Sequence, residues 1–494
     1  MTNTGKTVAK NASVLMLSQI LTWGMAIVLM IFLPRILGAE GVGQLHLADS
    51  VWAIVGILIG FGMDIYLTKE IARVPEKTGE LLGNSMVLRT LLFVLGFAGV
   101  VLYVNLAGYA TLTVWVIYLY GFGRLVAEFS SGATSALVGL ERMEYVAFAN
   151  VLSRLFATVV TIAVLLMGYG VLAAAAVYAA SSAVSVVIQL VYMGRLQPLR
   201  FTFQRDLAWQ MLRVSAPYLL VTLFSVAYMN LDAIIISLVV DETTLGWYSA
   251  ADRLFGTMMF VPVVFITAVF PALSRLNVES PQELRKLMRR SFDLLLILGV
   301  PIGLGTMGIA NGLVVLLYGA DFAPSGPVLA VLGIVLIFTY QNILLGRFLI
   351  AVDRQNVWTV VMGVATLLTI PLDLIFIPWM HNRFGNGAIG GALSFVVTEV
   401  GMMLFGLRYL PAGSLTRKNG WVAVRVIGAG LVMTAVVWAL RGSFIALPIV
   451  AGAVTYTGLI LLLRVVSDED KLMFKDQFQR ITRRVRVFAH GRLG

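Results

Sequence analysis

Apolar runs of twenty or more residues recur from one end of the chain to the other, separated by short polar stretches. Each run is long enough to cross a hydrocarbon layer roughly 30 Å thick at about 1.5 Å of helix per residue. Hydropathy and helix breakers place spans near 11–34, 45–67, 82–106, 111–139, 144–168 and 171–194, then near 209–240, 244–273, 291–317, 327–351, 355–378 and 387–409, and a last pair near 421–440 and 443–465. The pattern predicts an all-α integral membrane fold of about fourteen transmembrane helices. It divides into an N-terminal six-helix lobe (1–195), a cytoplasmic linker (196–208), a C-terminal six-helix lobe (209–410), an extra transmembrane pair (411–466) and a basic amphipathic cytoplasmic tail (467–494).

Composition removes the soluble alternative, because 59% of the 494 residues are hydrophobic and only 12% charged. The chain has no Cys, which excludes disulfide scaffolds, thiol nucleophiles, thiolate metal sites and iron–sulfur clusters. The segment Met1 to Ser13 is polar, and the apolar run after it continues without a small-residue cleavage site, so it is expected to be a retained first span.

The formal charge of +11 is explained by where the basic residues fall. Lys and Arg concentrate in cytoplasmic loops, and here they alternate. One side collects Lys6 and Lys10, then Lys69, Arg73 and Lys77, then Arg142, then Arg195, Arg200 and Arg205, then Arg275, Arg285, Lys286, Arg289 and Arg290, then Arg354, then Arg408, Arg417 and Lys418. The opposite loops hold only Arg35, Arg383 and Arg441, which puts both termini in the cytoplasm of a multi-pass protein of the plasma (inner) membrane. In the tail, seven basic residues from Lys471 to Arg492 interleave with Met473, Phe474, Phe478, Ile481, Val485 and Phe488. That mixture suits an interfacial helix on anionic lipid, and nucleic acid is not expected as a partner.

A repeat lies inside the pattern. Gly43-Gln44-Leu45-His46-Leu47-Ala48-Asp49 opens the second span, and Gly246-Trp247-Tyr248-Ser249-Ala250-Ala251-Asp252 opens the eighth with the same Gly-to-Asp spacing. Equal position and orientation imply a parallel duplication of six helices about an axis along the membrane normal, with a central cavity between the copies.

Charged residues at mid-depth are costly in hydrocarbon and normally face a bundle interior or a wet cavity. Arg89, Arg154, Arg213, Arg347 and Arg425 fall near cytoplasmic span ends, where snorkelling to headgroups accounts for them. Arg124 and Glu128 lie mid-span at i, i+4 spacing, the pair Asp252 and Arg253 lies inside the eighth span, and Asp49, Asp232 and Glu399 complete the buried set. Such residues either bridge the lobes as neutralising pairs or contact substrate. As a group they point to a hydrated cavity with cationic patches, suited to an anionic headgroup such as a pyrophosphate. The candidate substrate-binding residues are therefore Arg35, Arg124, Arg253, Asp252, Glu128 and Asp49. Gly56 with Gly60, and Gly387 with Gly391, make close-packing spacings, and Pro217, Pro262, Pro271, Pro301 and Pro371 mark sites of kinking.

Enzyme signals are poor. The three His (His46, His381, His490) sit near span ends, there is no HExxH or G-x-S-x-G, and Gly5-Lys6-Thr7 has no preceding glycine to build a phosphate loop. Neither enzymatic activity, nor a metal, nor a cofactor is expected.

Several strings resemble the polysaccharide-biosynthesis flippases of the multidrug/oligosaccharidyl-lipid/polysaccharide superfamily. They are Arg35-Ile36-Leu37-Gly38-Ala39-Glu40-Gly41-Val42-Gly43, Lys69-Glu70-Ile71-Ala72-Arg73, Ser215-Ala216-Pro217-Tyr218, and Leu231-Asp232 leading to Gly246-Trp247-Tyr248. Further along stand Leu317-Tyr318-Gly319-Ala320-Asp321-Phe322-Ala323-Pro324, and Ile377-Pro378 leading to Gly387-Ala388-Ile389-Gly390-Gly391-Ala392. A departure is Asp373, where the family more often carries Asn ahead of the Ile-Pro string. The resemblance implies a two-lobe flippase that moves an undecaprenyl-diphosphate-linked oligosaccharide to the outer leaflet by alternating access. It also implies contact with polysaccharide assembly machinery, and a C-terminal pair from Trp421 to Arg464 placed like the lipid groove of lipid II flippases. The rival reading is a proton- or sodium-coupled multidrug/cation antiporter of the same fold, served by Asp49 or Asp64, against which Arg124 and Arg253 weigh. A membrane-embedded polymerase or glycosyltransferase needs larger loops than this chain has.

Overall fold

The computed structural model describes residues 3–196 and 203–465, and among them every regular element is helical. The helices are α1 (Asn3–Gly60), α2 (Met63–Arg73), α3 (Thr78–Ala107), α4 (Thr111–Gly139), α5 (Met143–Leu166), α6 (Val171–Leu196), α7 (Arg205–Val239), α8 (Glu242–Met258), α9 (Phe260–Glu279) and α10 (Pro281–Tyr318). They continue with α11 (Ser325–Ala351), α12 (Gln355–Phe384), α13 (Ala388–Arg408), α14 (Arg417–Ala439) and α15 (Ala446–Leu462). The expected tail at 467–494 lies outside the described residues, as does 197–202 of the linker.

Among the described residues, twelve helical stretches are long and apolar enough to cross a membrane. Their outer faces carry Leu95, Leu102, Leu106 and Val360, all strongly exposed, as lipid-facing surfaces do. This is a multi-pass membrane protein. Two features separate twelve stretches from fourteen predicted spans. Leu17–Gly60 runs as one 44-residue stretch, and α15 is a shorter apolar helix of 17 residues.

Inside the first stretch, Gly38 leaves helical geometry at φ 68°, a left-handed conformation that a side chain would strain. The half of α1 after Gly38 then lies along α8, while the half before it packs on α5 and touches α9 through Trp23. Trp23 packs edge-on against Phe260 at 5.0 Å, while Ala39 and Gly43 meet Gly246 and Glu242. Gly38 is thus the apex of a bend. A second interruption, at Phe61 and Gly62 (φ 49° and 71°), separates α1 from α2 and lets Gly62 lie against Ser215 and Tyr218 of α7.

Two of the expected proline sites show how freed carbonyls are satisfied. Pro262 has no N–H for the Met258 carbonyl, the helix divides there into α8 and α9, and the Tyr340 hydroxyl of α11 donates to that carbonyl at 2.6 Å. Pro301 likewise releases the Ile297 carbonyl, to which Tyr456 of α15 donates at 2.9 Å, tying the last helix to α10. Val300 and Leu304 of α10 pack with Met433 and Val437 of α14. Gly430 sits so close to Val300 that a Cβ there would overlap it.

The two copies of the Gly-to-Asp repeat meet face to face. A Cβ on Gly43 would overlap the Glu242 carbonyl, and one on Gly246 would overlap the Ala39 carbonyl. Around this contact, Gln44 donates to Thr113 (3.3 Å), Thr113 donates to Glu242 (3.1 Å), and the Tyr109 and Ser237 hydroxyls bond at 2.8 Å. Small residues let the two backbones approach, and side-chain hydrogen bonds across the helices close that end of the bundle.

Candidate functional site: a cavity between the two copies of the repeat

Behind this seal lies a cavity of about 1330 Å³ walled by α1, α4, α5, α6, α8 and α9. His46 and Asp49 of α1, one turn apart, and Asp252 and Arg253 of α8 line one side. The Arg253 and Asp49 charges both act on His46. Arg154 of α5 faces the same space and lies within electrostatic reach of Arg253. Among the described residues neither Arg154 nor Arg253 makes an ion pair. The cavity also has an apolar flank, made by Trp23, Phe260, Val263 and Val264. On α4 and α6, Tyr120 and Tyr178 stack in parallel at 4.1 Å, and the Tyr120 hydroxyl donates to Asp49 at 2.7 Å.

The candidate residues from the sequence therefore separate into three places. Asp49, Asp252 and Arg253 come together in the cavity. Arg124 and Glu128 are not among its lining residues. They do form the expected i, i+4 pair at 2.9 Å, within a network behind the wall. Arg35 is elsewhere again: its guanidinium donates to the carbonyls of Leu317 (2.7 Å) and Leu316 (2.6 Å), which end α10 without intrahelical partners. Arg35 thus joins the bend of α1 to the C-terminal half and does not line the cavity.

Two residues assigned to snorkelling need correction. Arg89 is completely buried. It donates to Asp64 at 2.6 Å, to the Glu128 carboxylate at 2.6 Å and to the Glu128 carbonyl at 2.7 Å. Ser131 and Ser135 donate to the same Asp64 carboxylate at 2.9 and 3.1 Å. Its position near a span end invited the headgroup explanation; the break at Phe61 and Gly62 carries Asp64 to it instead. Arg154 reaches the cavity because α5 presents Asn150, Ser153, Arg154, Ala157 and Thr161 along one face. That polar stripe, at helical spacing inside an apolar span, was the available signal. The other three do not line the cavity: Arg213 and Arg347 are exposed, and Arg425 donates to the Leu463 carbonyl at 3.3 Å.

Asp232 and Glu399 lie in the C-terminal half away from the cavity lining. Asp232 accepts from Tyr248 at 2.8 Å, and its charge acts on the fully buried Asp373 beside it. Glu399 accepts from Tyr228 at 3.0 Å and from Asn342 at 2.8 Å. Among the described residues no group of three His, Cys, Asp or Glu is placed to hold a metal.

The sequence profile of the polysaccharide biosynthesis protein family matches residues 8–277, more than half of the chain. The chain belongs to this family. Among its relatives is a Haloferax volcanii protein described as a probable low-salt glycan biosynthesis flippase, Agl15, 23% identical over 397 residues, which are 79% of this chain and 82% of that one. Another is the probable lipid II flippase MurJ of Vibrio cholerae, 29% identical over 253 residues, 48% of this chain and 47% of the relative. The fold of this family member is similar to a solved lipid II flippase MurJ in an inward closed conformation, with a TM-score of 0.72 at 15% identity over 92% of this chain and 99% of that one. It is also similar to an inward-facing multidrug resistance transporter of the MATE family and MOP superfamily, with a TM-score of 0.60 at 17% identity over 78% and 93% of the two chains. At these identities the likeness establishes the fold alone.

Proposed function

We propose that this protein is a flippase, and not an enzyme, that carries an undecaprenyl-diphosphate-linked oligosaccharide from the inner to the outer leaflet by alternating access, for cell-surface polysaccharide synthesis. The observation that carries this reading is the convergence of two guanidiniums, Arg154 and Arg253, neither in an ion pair among the described residues, from opposite halves of one cavity that also has an apolar flank. A diphosphate offers acceptor oxygens to both arginines, whose planar donor sets stay charged when partly desolvated. A prenyl chain suits the surface of Trp23, Phe260, Val263 and Val264. The relatives named as glycan and lipid II flippases support the same reading.

In this reading the chain makes fourteen crossings, counting the bend at Gly38 and the short α15. Lobes of six crossings at 1–195 and 209–410 are joined by the linker 196–208, followed by the pair 411–466. Both termini face the cytoplasm of the inner membrane, and the basic tail 467–494 rests on anionic lipid near the polysaccharide assembly machinery. The Gly43 and Gly246 contact then seals the outer side, and the cavity opens inward. Arg253, Asp252 and Asp49 act within the cavity. Arg124 and Glu128 support its wall, and Arg35 latches the closed outer end.

The test is a headgroup-accessibility assay in proteoliposomes. It compares movement of an undecaprenyl-diphosphate oligosaccharide with uptake of a cationic dye under a proton or sodium gradient. The flippase reading expects glycolipid movement without dye uptake, lost in Arg253→Ala and Arg154→Ala while membrane insertion is kept. Gradient-driven dye movement alone sinks it in favour of the antiporter.

A further inference from the structure

The wall formed by α4 and α6 differs in chemistry from the rest of the cavity. The positions that reach the space are 120, 127 and 130 on α4 and 174, 178, 181, 182 and 185 on α6, spacings that put each set on one helix face. Every lining residue from these two helices is uncharged: Ala, Ser or Tyr. A polar face of this kind inside an apolar helix is not needed for lipid contact, and it points at the cavity.

The hydrogens on this wall are largely committed. Ser181 and Ser182 donate to the Tyr178 carbonyl at 2.8 and 3.0 Å. Ser130 and Ser185 bond to each other at 2.8 Å, and Gln189 donates to both at 3.2 Å. A serine whose hydrogen is donated backwards presents only lone pairs. With Tyr120, Ser181, Ser182 and one of Ser130 and Ser185 committed as donors, the wall is richer in acceptors than in donors, the Tyr178 hydroxyl being a free donor on it, and the ligand groups that match most of it are O–H and N–H donors. The rigid Tyr120 and Tyr178 stack adds a flat amphipathic surface beside them.

The charged groups around this wall favour the same class of ligand. Asp49, hydrogen-bonded to Tyr120, adds negative charge at its edge. Arg124, behind Tyr178, is neutralised by Glu128. Arg154 and Arg253 are the cations facing the cavity, and the reading above assigns both to the diphosphate.

Resting on that flippase reading, we propose that Tyr120, Ser130, Tyr178, Ser181, Ser182 and Ser185 form a subsite for uncharged sugar. The subsite selects a neutral hexose or N-acetylhexosamine next to the diphosphate over an acidic sugar. A uronic carboxylate is an acceptor without a donor, so it meets mostly serine lone pairs and the neighbouring Asp49, with few donors to offset its desolvation.

The experiment uses the full chain in proteoliposomes with three prenyl diphosphates: one without sugar, one with a neutral disaccharide, and one with a disaccharide of equal size whose first sugar is a uronic acid. The neutral glycolipid is expected to move roughly tenfold faster than the acidic one, the discrimination that about 1.4 kcal/mol supplies. Ser182→Ala and Tyr178→Leu, assayed separately so that a folding failure in one leaves the other informative, are expected to bring the neutral-to-acidic ratio towards one. Equal rates for the two glycolipids in the unaltered protein overturn the subsite, as does an unchanged ratio in both folded variants. Movement of the sugar-free diphosphate under those outcomes keeps the flippase reading standing alone, whereas movement of none of the three lipids overturns both.

Discussion

In the N-terminal half, charges meet opposite charges: the buried Arg89 and Glu128 with the partly buried Arg124 and Asp64, joined by ion pairs of 2.6 to 2.9 Å. In the C-terminal half the buried carboxyls Asp232, Asp373 and Glu399 have no ion pair among the described residues. Tyr248, Tyr228 and Asn342 donate to Asp232 and Glu399. The same fold, repeated, has thus been given two ways of holding acids inside a membrane protein. An ion network tolerates burial only while its charges balance, because a lone charge left behind is strongly destabilising. A carboxyl held by hydroxyl and amide donors is lost more gradually, one hydrogen bond at a time. The first half should be brittle to loss of a charge, and the second sensitive in smaller steps to loss of a donor.

The largest effect is expected from Arg89→Ala, which leaves Glu128 with Arg124 alone and the partly exposed Asp64 with only Ser131 and Ser135, and should destabilise by about 3 kcal/mol, read as thermal unfolding in detergent. Arg89→Ala combined with Asp64→Ala should recover part of that loss, because charge is removed in a pair; full additivity of the two changes would break the network interpretation. Next is Gly246→Ala at the contact between the halves. Its Cβ must displace the Ala39 carbonyl, and an overpacking strain of roughly 1–3 kcal/mol should shift the population away from the sealed state about 5–150-fold. Cysteines introduced at positions 113 and 242 of this Cys-free chain, whose native side chains hydrogen-bond across the halves at 3.1 Å, report the shift as lost cross-linking. In the C-terminal half, Asn342→Ala removes one donor to Glu399 and should cost about 1–3 kcal/mol. The smallest change is Tyr228→Phe, expected to cost about 1 kcal/mol. If it destabilised as much as Arg89→Ala, the contrast between the halves would vanish.

How far the site was legible in the sequence depends on whether a residue's partner is local. Arg124 and Glu128 were readable because i, i+4 spacing on one helix guarantees proximity, and the structure joins them at 2.9 Å. Asp252 and Arg253 were readable as expensive charges inside a span. Arg89 was not, because its partners are 25 and 39 positions away and one of them arrives only through the break at Phe61 and Gly62. Arg154 was misread for a related reason: depth along a span is visible in hydropathy, but the direction a side chain points is not. The repeat was visible as Gly-to-Asp spacing, and its meaning as a mutual contact of Gly43 and Gly246 was not.

Hydropathy by itself determined the solvent, the helical class and the approximate positions of the spans, because a backbone in hydrocarbon has few ways to satisfy its own hydrogen bonds. It also carried the repeat and the proline sites. Tertiary structure decided which charges balance each other, which face a shared cavity, and which hydroxyl relieves the carbonyls freed by Pro262 and Pro301. Those outcomes turn on a few ångströms between helices far apart in the chain, and electrostatic and hydrogen-bond energies fall off over just that distance.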